Sequence, residues 1–274
     1  MPSIASPILW TTFLVICGLL LILDLAVLNR GAKVISAKAA VRNTLFFVSM
    51  GGLFAAYLAW EFGSAPALEF VTGYLIEYAL SVDNLFVFLV IFTYFQVPPE
   101  HQHRVLFWGI LGAIFLRGVF IVAGAALLAK FAWMIFVFGA FLVYTGIKLL
   151  FAGDESIDPS RNPILLLCQR FLPVTSEYHG ERFFVRLQVD GLNKLLVTPL
   201  FLVLVVVDVI DVVFAVDSIP AIFAVTRDPF IVFSSNIFAV LGLRSLYFLL
   251  ADLMGKFHYL KYGLGLVLAF VGLK

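Results

Sequence analysis

Apolar runs of about 20 residues recur along nearly the whole of this 274-residue chain, and that feature narrows its fold more than any motif. A bilayer core about 30 Å thick is crossed by about 20 helical residues. Inside lipid, backbone donors and acceptors must be met within the protein itself. The runs lack the apolar–polar alternation of barrel strands, so they read as helices. A mean hydropathy of +1.08 agrees. The expected fold is an all-α polytopic membrane protein.

Eight spans are expected, near residues 8–28, 44–60, 68–95, 104–129, 131–151, 196–225, 230–254 and 259–274. The last ends at Lys274 without a flank, which leaves a ninth helix open. No Lys or Arg precedes the first run and no small-residue cleavage pattern closes it, so it reads as a retained span rather than a signal peptide. Of the 18 Lys and Arg residues, 13 follow odd-numbered spans. The positive-inside rule then places the N-terminus outside and residues 152–195 in the cytoplasm. Within that segment Pro163 to Leu172 reads as an amphipathic interfacial stretch. Phe183 to Val189, the Asp190-Gly191 turn and Leu192 to Val197 read as a β-hairpin.

The chain also resembles itself. Glu77-Tyr78-Ala79-Leu80-Ser81-Val82-Asp83-Asn84 matches Asp211-Val212-Val213-Phe214-Ala215-Val216-Asp217-Ser218, with acids at the first and seventh positions of both. Leu116-Arg117 matches Leu243-Arg244, and Gly146-Ile147-Lys148 matches Gly272-Leu273-Lys274, in the same order. The expected organisation is two N-terminal helices (1–60), a three-helix repeat (61–151), a cytoplasmic loop (152–195) and a second three-helix repeat (196–274). Three is odd, so a second unit entering from the opposite face makes an inverted repeat. Such repeats place the substrate near the membrane midplane.

Acids inside the spans carry the functional argument. Asp24, Glu77, Asp83, Asp208, Asp211 and Asp217 fall within hydrocarbon, where each costs about 2.5–3.5 kcal/mol on insertion scales. Arg117 and Arg244 are available to pair with two of them, leaving the others for protons or metal. Hard oxygen ligands suit Mn²⁺, Ca²⁺ and Mg²⁺, and no His or Cys accompanies these acids to favour zinc or copper. Cys17 and Cys168 read as apolar fillers. The net charge of +1 says nothing about nucleic acid, but no basic block long enough to bind it appears, so no nucleic-acid partner is expected; no organic cofactor is expected.

On an ideal helix Glu77, Ser81 and Asn84 share a face, as do Asp208, Asp211, Ala215 and Ser218, while Asp83 and Asp217 point elsewhere. Pro220 removes a backbone donor opposite the Val216 carbonyl. A broken or kinked helix there is expected to turn Asp217 inward and to offer the Val216 carbonyl as a ligand.

Glu77 to Asn84, Asp211 to Val225 and Leu241-Gly242-Leu243-Arg244 resemble the signature segments of the TerC family, most closely its Alx branch. Glu181 to Arg186 and Asp228 to Val232 are similar to the same branch. The resemblance implies an integral membrane protein related to the LysE transporter superfamily, with associations to manganese export, tellurium resistance and metal supply to exported enzymes. It carries over Glu77, Asp83, Asp208, Asp211 and Asp217 as metal ligands. Asn84, Ser218, Asp24, the Val216 carbonyl, Arg117 and Arg244 are auxiliary candidates from the residue pattern itself. Asp208 stands where that branch carries Glu, one methylene longer.

The leading expectation is a transporter of the bacterial inner membrane, not an enzyme, that exports Mn²⁺ by alternating access with protons as an exchange partner. A non-transporting scaffold serving exported or membrane proteins is the alternative. An intramembrane aspartyl hydrolase built on Asp83 and Asp217 ranks last.

Overall fold

The computed structural model describes residues 3–24, 36–131, 133–151, 172–175, 177–189 and 192–251. The expected last span at 259–274, the stretch 163–171 with Cys168, the Asp190-Gly191 turn and the third repeat match at Gly272 to Lys274 lie outside the described residues.

The described chain is mostly helical. Helices α1 (Pro7–Leu23), α2 (Ala37–Phe62), α3 (Ser64–Tyr94), α4 (Pro99–Lys130) and α5 (Met134–Phe151) precede strands β1 (Phe184–Val189) and β2 (Leu192–Val197); α6 (Pro199–Val225), α7 (Pro229–Leu241) and α8 (Leu243–Ala251) follow. Proline opens α1, α4, α6 and α7, where its missing N–H would have had no helical partner. Ser6 caps α1 by accepting from Leu9, and the Asp228 carboxylate caps α7 by accepting from Phe230 at 2.8 Å. Asp228 also accepts from the Ser3 hydroxyl at 2.8 Å and the Ile4 amide at 2.6 Å, which straps the N-terminal residues to the start of α7. Gly63, at a φ of 89°, makes the tight turn from α2 into α3.

Four helices, α2, α3, α4 and α6, are long and apolar enough to cross a membrane, and α7 with α8 makes a fifth if the bent pair is one span. Polarity is distributed as lipid requires. Ile8, Trp60, Phe115 and Phe136 stand on the outer surface, whereas Glu77, Arg117, Asn236 and Arg244 are fully buried.

One expectation about a break needs correction. α6 runs without interruption through Pro220, so the helix is not broken beside Asp217. Ile219, Pro220, Ala221 and Ile222 are all buried, and this packing holds the helix together across the missing hydrogen bond. The break falls instead at Gly242, where α7 and α8 meet at 40° inside what read as a single span at 230–254.

The packing fixes helix directions. Gly109 of α4 lies against Val207, Gly112 against Asp208 and Gly124 against Phe223, so α4 and α6 run parallel. The first half of α3 meets the end of α6, with Gly73 near Ile222 and Ile76 and Leu80 around Ala221. Its second half, Leu85 to Phe92, joins the core formed by Leu200 to Val207. α3 and α6 are therefore antiparallel. A second core of interlocked aromatic rings, including Phe13, Phe54, Phe70, Phe230 and Phe238, joins α1, α2, α3 and α7.

β1 and β2 pair antiparallel with Phe184 opposite Val197 and Val189 opposite Leu192, the register that a two-residue connection dictates. The hairpin sits against the junction of α3 and α4. Arg104 contacts Glu181 at 3.3 Å and lies 5.0 Å from the centre of the Phe183 ring. The Tyr178 hydroxyl donates to the Phe95 carbonyl at 2.7 Å. Burial pushes that hydroxyl up to about 12, so it remains a donor at neutral pH.

Candidate functional site

Near the midpoints of α3, α4 and α6, three helices meet around one guanidinium. Arg117 has no exposed surface, and each of its three nitrogens donates to a carboxylate. Nε reaches Asp211 Oδ2 at 2.9 Å, Nη2 reaches Asp211 Oδ1 at 2.8 Å, and Nη1 reaches Glu77 Oε1. The Asp211 contacts form the parallel fork that a planar guanidinium makes best. Glu77 is also fully buried, and its second oxygen has no hydrogen-bond partner. With both carboxylates ionised, the cluster holds two negative charges against one positive. Moving such charges out of water costs several kcal/mol each, so the close, multiply bonded geometry is what makes the cluster tenable.

Sequence spacing foresees the faces but not the pairing. Glu77, Ser81 and Asn84 are buried together on α3, and Asp211, Ala215 and Ser218 on α6, while Val213 and Val216 between them are exposed. The Ser81 and Ser218 hydroxyls are buried without partners. Asp217 lies off that face and is half-buried. Asp83 belongs to α3, and its side chain lies outside the described ones.

Asp208, one turn before Asp211, occupies a notch in α4. A Cβ at Gly112 would lie 2.9 Å from both Asp208 oxygens, and one at Gly109 would lie 3.5 Å from Oδ1. Only a residue without a side chain at position 112 lets the carboxylate approach this closely. Asp208 Oδ1 is buried without a partner.

Arg244 is the second buried guanidinium. Its Nη2 contacts Asp24 Oδ2 at 2.7 Å and donates to the Asp24 carbonyl at 2.9 Å. Nε and Nη1 have no partners. A cavity of about 20 Å³, lined by Leu85, Gly109, Val207, Asp211 and Arg244 among others, separates the two arginine centres; it is large enough for about one water molecule. The two arginines thus engage three of the six expected intramembrane acids, with two of the three on Arg117. Among the described side chains, no three of His, Cys, Asp and Glu gather closely enough to hold a metal ion.

Asn236 on α7 has no counterpart in the sequence reading. It is fully buried and both of its side-chain polar atoms lack partners. The signal was the polar run Ser234-Ser235-Asn236 inside an apolar span.

The chain has well-defined relatives. Residues 62–274 match the Integral membrane protein TerC family. The chain is 50% identical over its full length to an uncharacterized membrane protein of Myxococcus xanthus, covering 84% of that protein. It is 46% identical, again over its full length, to proteins of Escherichia coli K12 and Salmonella typhi named "Putative membrane-bound redox modulator Alx", covering 87% of each. No solved structure matches it. With apolar helices on the outside, buried charges on the inside and a family match over most of its length, this chain belongs to the TerC family of integral membrane proteins.

Proposed function

We propose that this protein exports a divalent cation, foremost Mn²⁺ with Ca²⁺ and Mg²⁺ as alternatives, across the bacterial inner membrane by alternating access. The observation that carries the reading is the meeting of Glu77 and Asp211, from repeat-matched positions on α3 and α6, at one buried point near the middle of both helices. Transporters built from inverted repeats put their substrates at such a point. The antiparallel packing of α3 and α6 supports the inverted repeat, and the parallel packing of α4 and α6 agrees with a 152–195 segment that stays on one side.

In this reading Glu77, Asp83, Asp208, Asp211 and Asp217 supply the carboxylates, with Asn84, Ser218 and the Val216 carbonyl as auxiliary oxygens. Protons compete for the same carboxylates, so cation affinity falls as pH falls. Arg104, Arg182, Arg186 and Lys194 cluster at the hairpin end, which supports a cytoplasmic hairpin and an outward N-terminus.

One observation favours a second reading, a scaffold that docks membrane or exported proteins: Phe184, Leu192 and Leu195 of the hairpin are exposed. A redox role rests on the name of the Alx relatives alone.

Mn²⁺ flux into proteoliposomes tests the proposal, comparing the wild type with Glu77→Gln, Asp83→Asn, Asp211→Asn and Asp217→Asn at two pH values. Flux abolished by the substitutions supports the transporter. A wild type that copurifies with a partner and carries no flux moves the assignment to the scaffold.

A further inference from the structure

We infer that Arg117 is a tethered counter-cation: it occupies the Glu77–Asp211 carboxylate pair when no transported ion does, and by having to be displaced it selects for divalent over monovalent cations. The inference rests on the cation-transport reading above.

Three observations lead to it. First, the guanidinium is saturated by carboxylates from two different helices, with every nitrogen engaged and no surface exposed. A structural ion pair needs one carboxylate, as Arg244 has with Asp24. The second carboxylate at Arg117 leaves an excess negative charge and a bare Glu77 oxygen.

Second, that excess distinguishes entering ions by charge. A monovalent ion replacing the guanidinium leaves the pair with the same excess and strips Arg117 of its partners. A divalent ion neutralises both carboxylates and so offsets the displacement. Hard oxygen ligation by two carboxylates is the chemistry such an ion takes.

Third, the displaced guanidinium has somewhere to go. Side chains on a helix lean toward its N-terminus. On that side of Arg117, against Gly112 and Gly109 of the same helix, sits the Asp208 carboxylate with an unpartnered oxygen. Arg117 can thus leave one carboxylate pair for another carboxylate without entering lipid; while it does, Asp208 is the counter-ion of the arginine, and the ion's carboxylates are the remaining ones.

The test is equilibrium binding of Mn²⁺, with and without excess Na⁺, to the full chain in lipid nanodiscs, for the wild type, Arg117→Gln and Arg117→Lys. Removing an internal competitor raises apparent affinity by the inverse of the fraction of sites it left free, so Arg117→Gln is expected to bind Mn²⁺ about tenfold more tightly or better. Na⁺ should compete in that variant and not in the wild type. Arg117→Lys retains the charge but not the three-point grip, so it should tighten binding by about threefold. It decides the matter alone if the glutamine variant fails to fold. Unchanged or weaker Mn²⁺ binding in folded variants, or equal Na⁺ competition in the wild type, overturns the inference while leaving transport intact. A wild type that neither binds nor moves a divalent cation overturns the transport reading and this one with it.

Discussion

Arg117 and Arg244 occupy matching places in the two Leu-Arg dipeptides of the sequence repeat, yet their surroundings differ in almost every respect. Arg117 lies inside an uninterrupted 32-residue helix and bonds through all three nitrogens to two carboxylates. Arg244 follows a 40° break at Gly242, engages one residue, Asp24, and keeps two nitrogens unpartnered. The difference comes from which helices reach each arginine. α1 delivers Asp24 to the second arginine, while α3 and α6 close on the first. A repeated dipeptide therefore does not impose a repeated environment. α1 supplies a partner to one arginine only, and the described chain has one guanidinium with every nitrogen engaged and one that keeps two nitrogens unpartnered.

The comparison is broken most directly by truncating each arginine. Arg117→Ala leaves two buried carboxylates without their cation and should cost about 3–5 kcal/mol. Arg244→Ala strips one carboxylate and removes two donors that had no partner, so it should cost at least about 1 kcal/mol less. Denaturation midpoints in detergent check this, and equal losses would erase the distinction. Gly112→Ala comes next. Its methyl group would meet both Asp208 oxygens at 2.9 Å, an overpacking that should cost about 1–3 kcal/mol and reduce Mn²⁺ flux. Gly109→Ala, with 3.5 Å to Asp208, should be milder. If the order reversed, Asp208 would not be seated as described. The smallest effect is expected from Ser3→Ala, which removes one hydrogen bond to Asp228 and should cost about 0.5–1.5 kcal/mol. It loosens α1, and with it the Arg244 side, so Mn²⁺ affinity at the Arg117 side should stay unchanged in the same titration.

Much of this arrangement is legible in the sequence because it is governed by periodicity. Helical spacing alone puts Glu77, Ser81 and Asn84 on one face and Asp208, Asp211, Ala215 and Ser218 on another, and all of them are buried except Asp208, which is half-buried. The strands flanking Asp190-Gly191 match the expected spans to within one residue because alternation and turn chemistry are local. What depended on three-dimensional neighbours was not legible. The acids that share Arg117 are 40 and 94 residues away from it, and no spacing rule couples such positions. Pro220 looked like the place for a break, but tertiary packing carries α6 through it. Gly242 between two leucines looked like continuous helix, and the chain bends there.

The distances between partners along the chain also set an order of events during synthesis. Arg117 is made 40 residues after Glu77, so its first carboxylate is already present when it is synthesised. Asp211 follows 94 residues later, a wait on the order of 5–20 s at about 5–20 residues per second. Asp24 waits for its arginine through 220 residues, roughly 10–45 s at that pace. Asp24 is thus made long before the arginine it meets in the folded protein, and the last described helix is the one that brings the two together.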